Sequence, residues 1–218
     1  MPAEWEPHEA TWIAWPHNED DWPGRFEPIP WVYGEIVRKL SQVEQVRILV
    51  QNGEVEDSAR NILMKSGANL EAIEFFSQPT DRVWTRDFGP MFVKSDAGHV
   101  AAVKWRFNGW AKYENHLRDE AAGHAIAGFA EVPVTTPDFV LEGGSIEVNG
   151  AGWLMTTEEC LLSPIQQRIR AWTVKASNAF SASISVFAVS CGLAMESWET
   201  ILTDILTIWP GSPPRFRP

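Results

Sequence analysis

Cysteine is nearly missing from this chain of 218 residues: there are two, Cys160 and Cys191, and their placement suggests neither a disulfide framework nor a metal cluster. Positive charge is scarce as well. With 29 acidic against 18 basic residues the formal net charge is −11, which argues against nucleic acid or an anionic membrane as partner and is compatible with a small cationic ligand, or with solubility alone. The opening MPAEWEPHEATW lacks a basic segment followed by an apolar one, so no signal peptide is expected and the protein reads as cytoplasmic. An uncharged run from Ala176 to Met195 is interrupted by Ser177, Asn178, Ser181, Ser183, Ser185 and Ser190, which speaks against a transmembrane helix. The five histidines, His8, His17, His99, His116 and His124, show no ligand spacing. They read as surface or capping residues, and neither metal nor cofactor is expected.

What is present is enough for a core, since 44% of the residues are hydrophobic and a chain of this length folds as one domain. QVRILV (Gln45–Val50) and AIEFF (Ala72–Phe76) are short and rich in β-branched or aromatic residues, as strands are. Between them EVEDSARNILMKSG places Val55, Ala59, Ile62 and Leu63 on one helical face, with Gly67 as a left-handed stop. A similar unit follows. MFVK and VAAVKWRF flank the turn SDAG, a helix is expected from Arg118 to Ala130, and FVLEGGSIEVNGAGWLMTT reads as strands with a hairpin at Asn149-Gly150. The pattern predicts an α/β protein of repeated strand-strand-helix-strand modules.

Two segments stand out chemically. DRVWTRDFGP (Asp81–Pro90) sets Trp84, Arg86 and Asp87 within four residues, closed by Gly89-Pro90; the plain alternative is a surface Arg86–Asp87 pair beside a core Trp84. In LEGGSIEVNG, Glu142 precedes Gly143-Gly144, where backbone can approach a ligand closely, or where an acid simply decorates a turn. Ser145 is not on a nucleophile elbow, because the glycine two residues later is missing. Twelve tryptophans could stack on sugar rings, but the pattern ATWIAWP makes Trp12 and Trp15 core or pocket lining.

MPAEWEPHEATWIAWPHNEDDWPG, PTDRVWTRDFGP, WRFNGWAKYENH, LEGGSIEVNG and TTEECLL, in that order, resemble the agmatine deiminases, grouped with the bacterial type of peptidylarginine deiminase. The resemblance covers residues 1 to about 168. It implies the pentein fold, a five-fold α/β propeller of strand-strand-helix-strand modules around a central pocket, and hydrolysis of a guanidine to a ureido group and ammonia. It implies as partner a small cationic guanidine substrate, with no cofactor, and is compatible with a homo-oligomer. A guanidinium is planar and positive, so paired carboxylates fix its plane and neutralise its charge. On the family's motif Asp87 is the guanidinium-binding aspartate, Glu142 is the second carboxylate, and Trp84 lines the pocket. In the family a cysteine thiolate attacks the guanidinium carbon and a histidine activates water. Neither is recognised here: Cys160 falls on an ordinary family position and Cys191 on none.

The remaining residues, 169–218, differ in kind. They hold three of the 29 acidic residues and seven of the chain's serines. Read from the third base of each codon, Cys191 through Pro210 permits a GDDTHGHIDD-like stretch of the kind the family carries, and Met195-Glu196 and Trp198-Glu199 each force glycine where that pattern has one. One adenine restored before Ile169 permits the family's N-P-G-L-D-R continuation. The expectation is a deiminase-like part over 1–168, an incomplete ring of modules, followed by a poorly ordered out-of-frame tail over 169–218, inactive alone. Two other classes stay open: a guanidine-binding protein without catalysis, and a Trp-rich carbohydrate-binding or glycosidase domain, whose two carboxylates would stand about 5–9 Å apart.

Overall fold

Four of the six residues of QVRILV are buried on both faces of a sheet, which makes Gln45–Val50 (β2) a central strand. In the computed structural model, which describes residues 1–95, 97–138, 140–151, 154–156 and 160, β2 lies between β1 (Ala10–Ala14) and β3 (Ile73–Ser77), parallel to both. Ile13, Ile48 and Phe75 stand in register across the three. The crossovers are α1 (Ile29–Leu40) and α2 (Gly53–Ser66). The second begins where Asn52 Oδ1 accepts the Val55 N–H at 3.0 Å and ends at Gly67, whose φ of 76° is the expected left-handed stop. Its predicted face does the packing. Ala59 and Leu63 are fully buried, and Val55 and Ile62 pack at the margin of a core formed with Trp15, Val37, Val46, Ile48, Val50 and Ile73.

Helix α1 was not among the expected elements, although Tyr33, Val37 and Leu40 have helical spacing and Pro30 suits a first turn. Gly34 in its middle obscures the signal. A Cβ there would lie 2.5 Å from Ser66 Oγ, so this glycine allows α1 and α2 to meet closely.

The second unit keeps the expected order. Strands β4 (Met91–Lys94) and β5 (Val100–Val103) are antiparallel, α4 (Leu117–Phe129) crosses over, and β6 (Val134–Thr135) returns parallel to β5. The strand expected through Phe107 stops at Val103, because Lys104 turns wholly inward and sets Nζ 2.6 Å from Glu120 Oε2. β7 (Ile146–Val148) and β8 (Leu154–Thr156) form the predicted hairpin, with Gly150 at φ 74°. The architecture is mixed α/β with separate sheets, and in the first unit α1 is inserted between the leading strands.

A second apolar cluster, of Ala14, Leu49, Val83, Phe88, Phe107, Ala122 and Ile126, joins the first sheet to α4 and to the four-residue helix α3 (Thr85–Phe88). Trp15 is buried and Trp12 packs against this cluster, as core or pocket residues should. His17 departs from the surface or capping role expected of the histidines: it is half-buried, with its ring nitrogens 3.1 Å from the Trp15 carbonyl and 3.0 Å from that of Thr80. Among the described residues no helix is long and apolar enough to cross a membrane and no group of side chains could hold a metal ion. The segment read as out of frame, 169–218, with its uncharged run and Cys191, lies outside the described residues.

Candidate functional site

Helix α3 carries Asp87, and the chain on both sides of it is firmly seated. Thr85 Oγ1 donates to the Trp12 carbonyl in the middle of β1 at 3.0 Å, and Phe88 is buried in the second cluster, 6.2 Å from the ring of Phe107. Against this short helix lies the turn Gly143–Ser145, with Glu142 immediately before it. Backbone forbids a side chain at the first glycine, and at the second a side chain would push the Asp87 carboxylate aside. A Cβ on Gly143 would lie 2.3 Å from the Arg86 carbonyl oxygen, and one on Gly144 2.1 Å from Asp87 Oδ1. The GG dipeptide therefore exists so that the Glu142 turn can touch the Asp87 helix.

That contact brings two predicted carboxylates together. Glu142 is buried and Asp87 half-buried. Burial raises the proton affinity of Asp87 above that of an ordinary aspartate, and the nearby Glu142 charge raises it further. Hydrogen bonds from the Gly144 N–H and the Trp110 indole N–H offset part of this, as does the more distant Arg86 charge. The plain alternative of an Arg86–Asp87 surface pair is not what forms: Arg86 pairs with Glu4 and, at 3.5 Å, with Glu147, and its Nη2 donates to the Ile146 carbonyl. Nor is Glu142 a solvent-exposed turn acid. Trp84, 45% exposed, is not a core residue either; its ring lies 6.4 Å from that of Trp22, which in turn neighbours Phe26.

One contributor was overlooked. Trp110 belongs to the WRFNGWAKYENH segment, yet its donation to Asp87 was not foreseen. The legible signal was Asn108-Gly109, a turn pair: Asn108 Oδ1 accepts the Ala111 N–H at 2.9 Å, and Trp110 and Ala111 both adopt left-handed backbone at φ 59° and 55°. Non-glycine residues in that region are held by their surroundings and cluster at functional sites.

Residues 1–178 match the family described as Porphyromonas-type peptidyl-arginine deiminase. The chain belongs to this deiminase family. The agmatine deiminase of Pseudomonas aeruginosa (strain LESB58) is 38% identical over 169 residues, which cover 75% of this chain and 44% of that protein. A putative agmatine deiminase of Mycoplasma capricolum is 36% identical over 168 residues, with the same coverage of 75% and 44%. The chain thus spans less than half the length of these deiminases. Among solved structures, the agmatine deiminase of Enterococcus faecalis superimposes with a TM-score of 0.72 at 28% identity, over 84% of this chain and 50% of the other. A C. jejuni agmatine deiminase with substrate bound gives 0.66 at 28% identity, over 84% and 52%. The deiminase fold of these structures is therefore the frame in which Asp87 and Glu142 meet.

Proposed function

We propose that this chain carries the guanidinium-binding part of an agmatine deiminase-like hydrolase. The observation that supports it best is the Asp87–Glu142 pair: two carboxylates close enough for one charge to raise the other's proton affinity, with Asp87 resting on neutral N–H donors. The two charges repel, and a planar cation with paired N–H groups relieves them. Asp87 accepts from the guanidinium, Glu142 accepts from its other side, and Trp84 lines the approach. In the complete reaction the guanidine of agmatine becomes a ureido group (N-carbamoylputrescine) with release of ammonia, a cytoplasmic step toward putrescine. The units around the two larger sheets are then modules of a closed five-fold propeller, of which this chain supplies a part.

The chemistry needs a thiolate and a base that we assign to no residue of this chain, so it binds without turnover. Calorimetric titration of the 218-residue chain with agmatine is expected to show binding that Asp87→Asn weakens roughly thirtyfold, and an ammonia assay to show no release. Ammonia release by this chain, or binding indifferent to Asp87→Asn, overturns the assignment. Insertion of one adenine before the Ile169 codon should restore the GDDTHGHIDD-like segment and, together with the downstream coding sequence, activity.

A further inference from the structure

Two arms of the chain carry Asp87 and Trp110, whose indole lowers the proton affinity of the Asp87 carboxyl, and both arms are held by consecutive residues of one helix. Asp119 Oδ1 accepts the N–H groups of Asp81 at 2.7 Å and Arg82 at 3.0 Å, on the arm that leads through Val83 and Trp84 into α3 and Asp87. Glu120 Oε2 accepts the Phe107 N–H at 2.8 Å and pairs with Lys104 Nζ, on the arm that leads to Trp110. Phe107 and Trp110 stand edge to face at 5.0 Å, so the placement of one ring constrains the other. The same helix is wedged between both arms one turn later. A Cβ on Gly123 would lie 2.1 Å from the Phe88 carbonyl oxygen, just past Asp87, and 2.2 Å from Lys104 Cε. The arms are also tied directly, since the Arg82 guanidinium lies 4.0 Å over the Tyr113 ring and donates to Asn115 Oδ1 at 3.2 Å, while Tyr113 stands 5.9 Å from Trp110.

We infer that the first turn of α4 is the gauge of the site: Asp119 fixes the arm that carries Asp87, Glu120 fixes the arm that carries Trp110, and the two are positioning residues that set these side chains relative to one another. Neither touches a ligand held by Asp87. Their effect passes through backbone N–H groups, so what matters at position 120 is an acceptor for Phe107 and not the ion pair with Lys104.

The consequence for ligand affinity rests on the binding role proposed for Asp87; the consequence for the Asp87 carboxyl does not. The test compares two double variants of the full chain in which the buried ammonium is removed, so that no unpaired charge is left behind. Lys104→Met/Glu120→Gln keeps an oxygen for the Phe107 N–H. Lys104→Met/Glu120→Leu does not. By carboxyl NMR titration, the glutamine variant should leave Asp87 where the wild type has it. The leucine variant should shift Asp87 upward, in the direction and to the extent given by Trp110→Phe. With agmatine as probe, the leucine variant should bind roughly tenfold more weakly and the glutamine variant as the wild type does. Asp87 titration identical in the two double variants overturns the inference, whereas an absence of agmatine binding to the wild type overturns only the proposed function.

The wild-type chain supplies a second reading, should the leucine variant not fold. Hydrogen exchange of the Phe107 amide and of the Trp110 indole should report one common opening. An indole that exchanges a hundredfold faster than that amide overturns the inference as well.

Discussion

The β1–β3 sheet and the α3–α4 region are built on opposite principles. Around β2 the buried side chains are apolar, and charge stays at the rim, as in the Arg47 pairs with Glu9 and Glu74. Around α3 and α4 the interior holds Arg82, Lys104, Asp119 and Glu142. Arg82 pairs with Asp21, yet Arg82 Nε, Asp21 Oδ2 and Asp119 Oδ2 have no hydrogen-bond partner. Buried charge contributes little net stability and often subtracts from it. The second region has an apolar cluster of its own around Phe88 and Ile126, and the buried charges beside it offset part of the stability that this cluster supplies.

Substitutions can break or sharpen that contrast. The largest effect should fall in the apolar core: Leu63→Ala removes a fully buried side chain and should cost about 3 kcal/mol in urea unfolding, with agmatine affinity unchanged in the folded fraction. Asp87→Asn should do the reverse. It removes one of two mutually repelling charges, so stability should hold or rise, whereas agmatine affinity should fall by about 2 kcal/mol, roughly thirtyfold, by calorimetry. Equal losses from both substitutions in both assays would erase the distinction.

Acid should act chiefly on the second region. Asp119 is pushed up to about 6, chiefly by burial, and Asp21 and Asp87 are raised for the same leading reason. A raised carboxyl means that the folded state binds the proton more tightly than the unfolded one. Stability therefore rises as pH falls through about 6 and stops rising near 4, where unfolded aspartates also protonate. In Asp119→Asn this slope should shrink by on the order of 1–2 kcal/mol between those limits, measured as urea midpoints across pH. Agmatine binding has the opposite dependence and should weaken on acidification, because it needs Asp87 ionised. The smallest effect is expected at Arg60, half exposed, paired with Glu56 and lying 4.3 Å over Phe75: Arg60→Ala should change stability by about 0.5 kcal/mol.

The same contrast explains what could be read from the chain. Strand β2, helix α2 and its Gly67 stop arise from periodicity and local chemistry, which act over a few residues. Helix α1 was hidden by Gly34, whose reason is a contact with Ser66 far along the chain. The candidate residues Asp87, Glu142 and Trp84 stand out in the sequence through their motifs, and the two glycines after Glu142 hint at the close approach to α3 that the structure has. Trp110 was not, because its partner is set by a left-handed turn and by Phe107 and Tyr113 around it. Lys104 falls within the expected strand VAAVKWRF. Nothing local announces that it turns inward to Glu120, a pairing between residues brought together only by the fold.

The abutment of Gly144 on Asp87 also bears on the order of folding. The β2–α2–β3 unit closes over a short loop and gains apolar burial as it forms. Joining Asp87 to the Glu142 turn closes a much longer one, and the loop entropy is met by a contact whose two carboxylates repel. Such a contact adds nothing to a nucleus. The site should be assembled late, on a sheet already in place, and substitutions at Gly144 should speed unfolding while leaving the folding rate nearly unchanged.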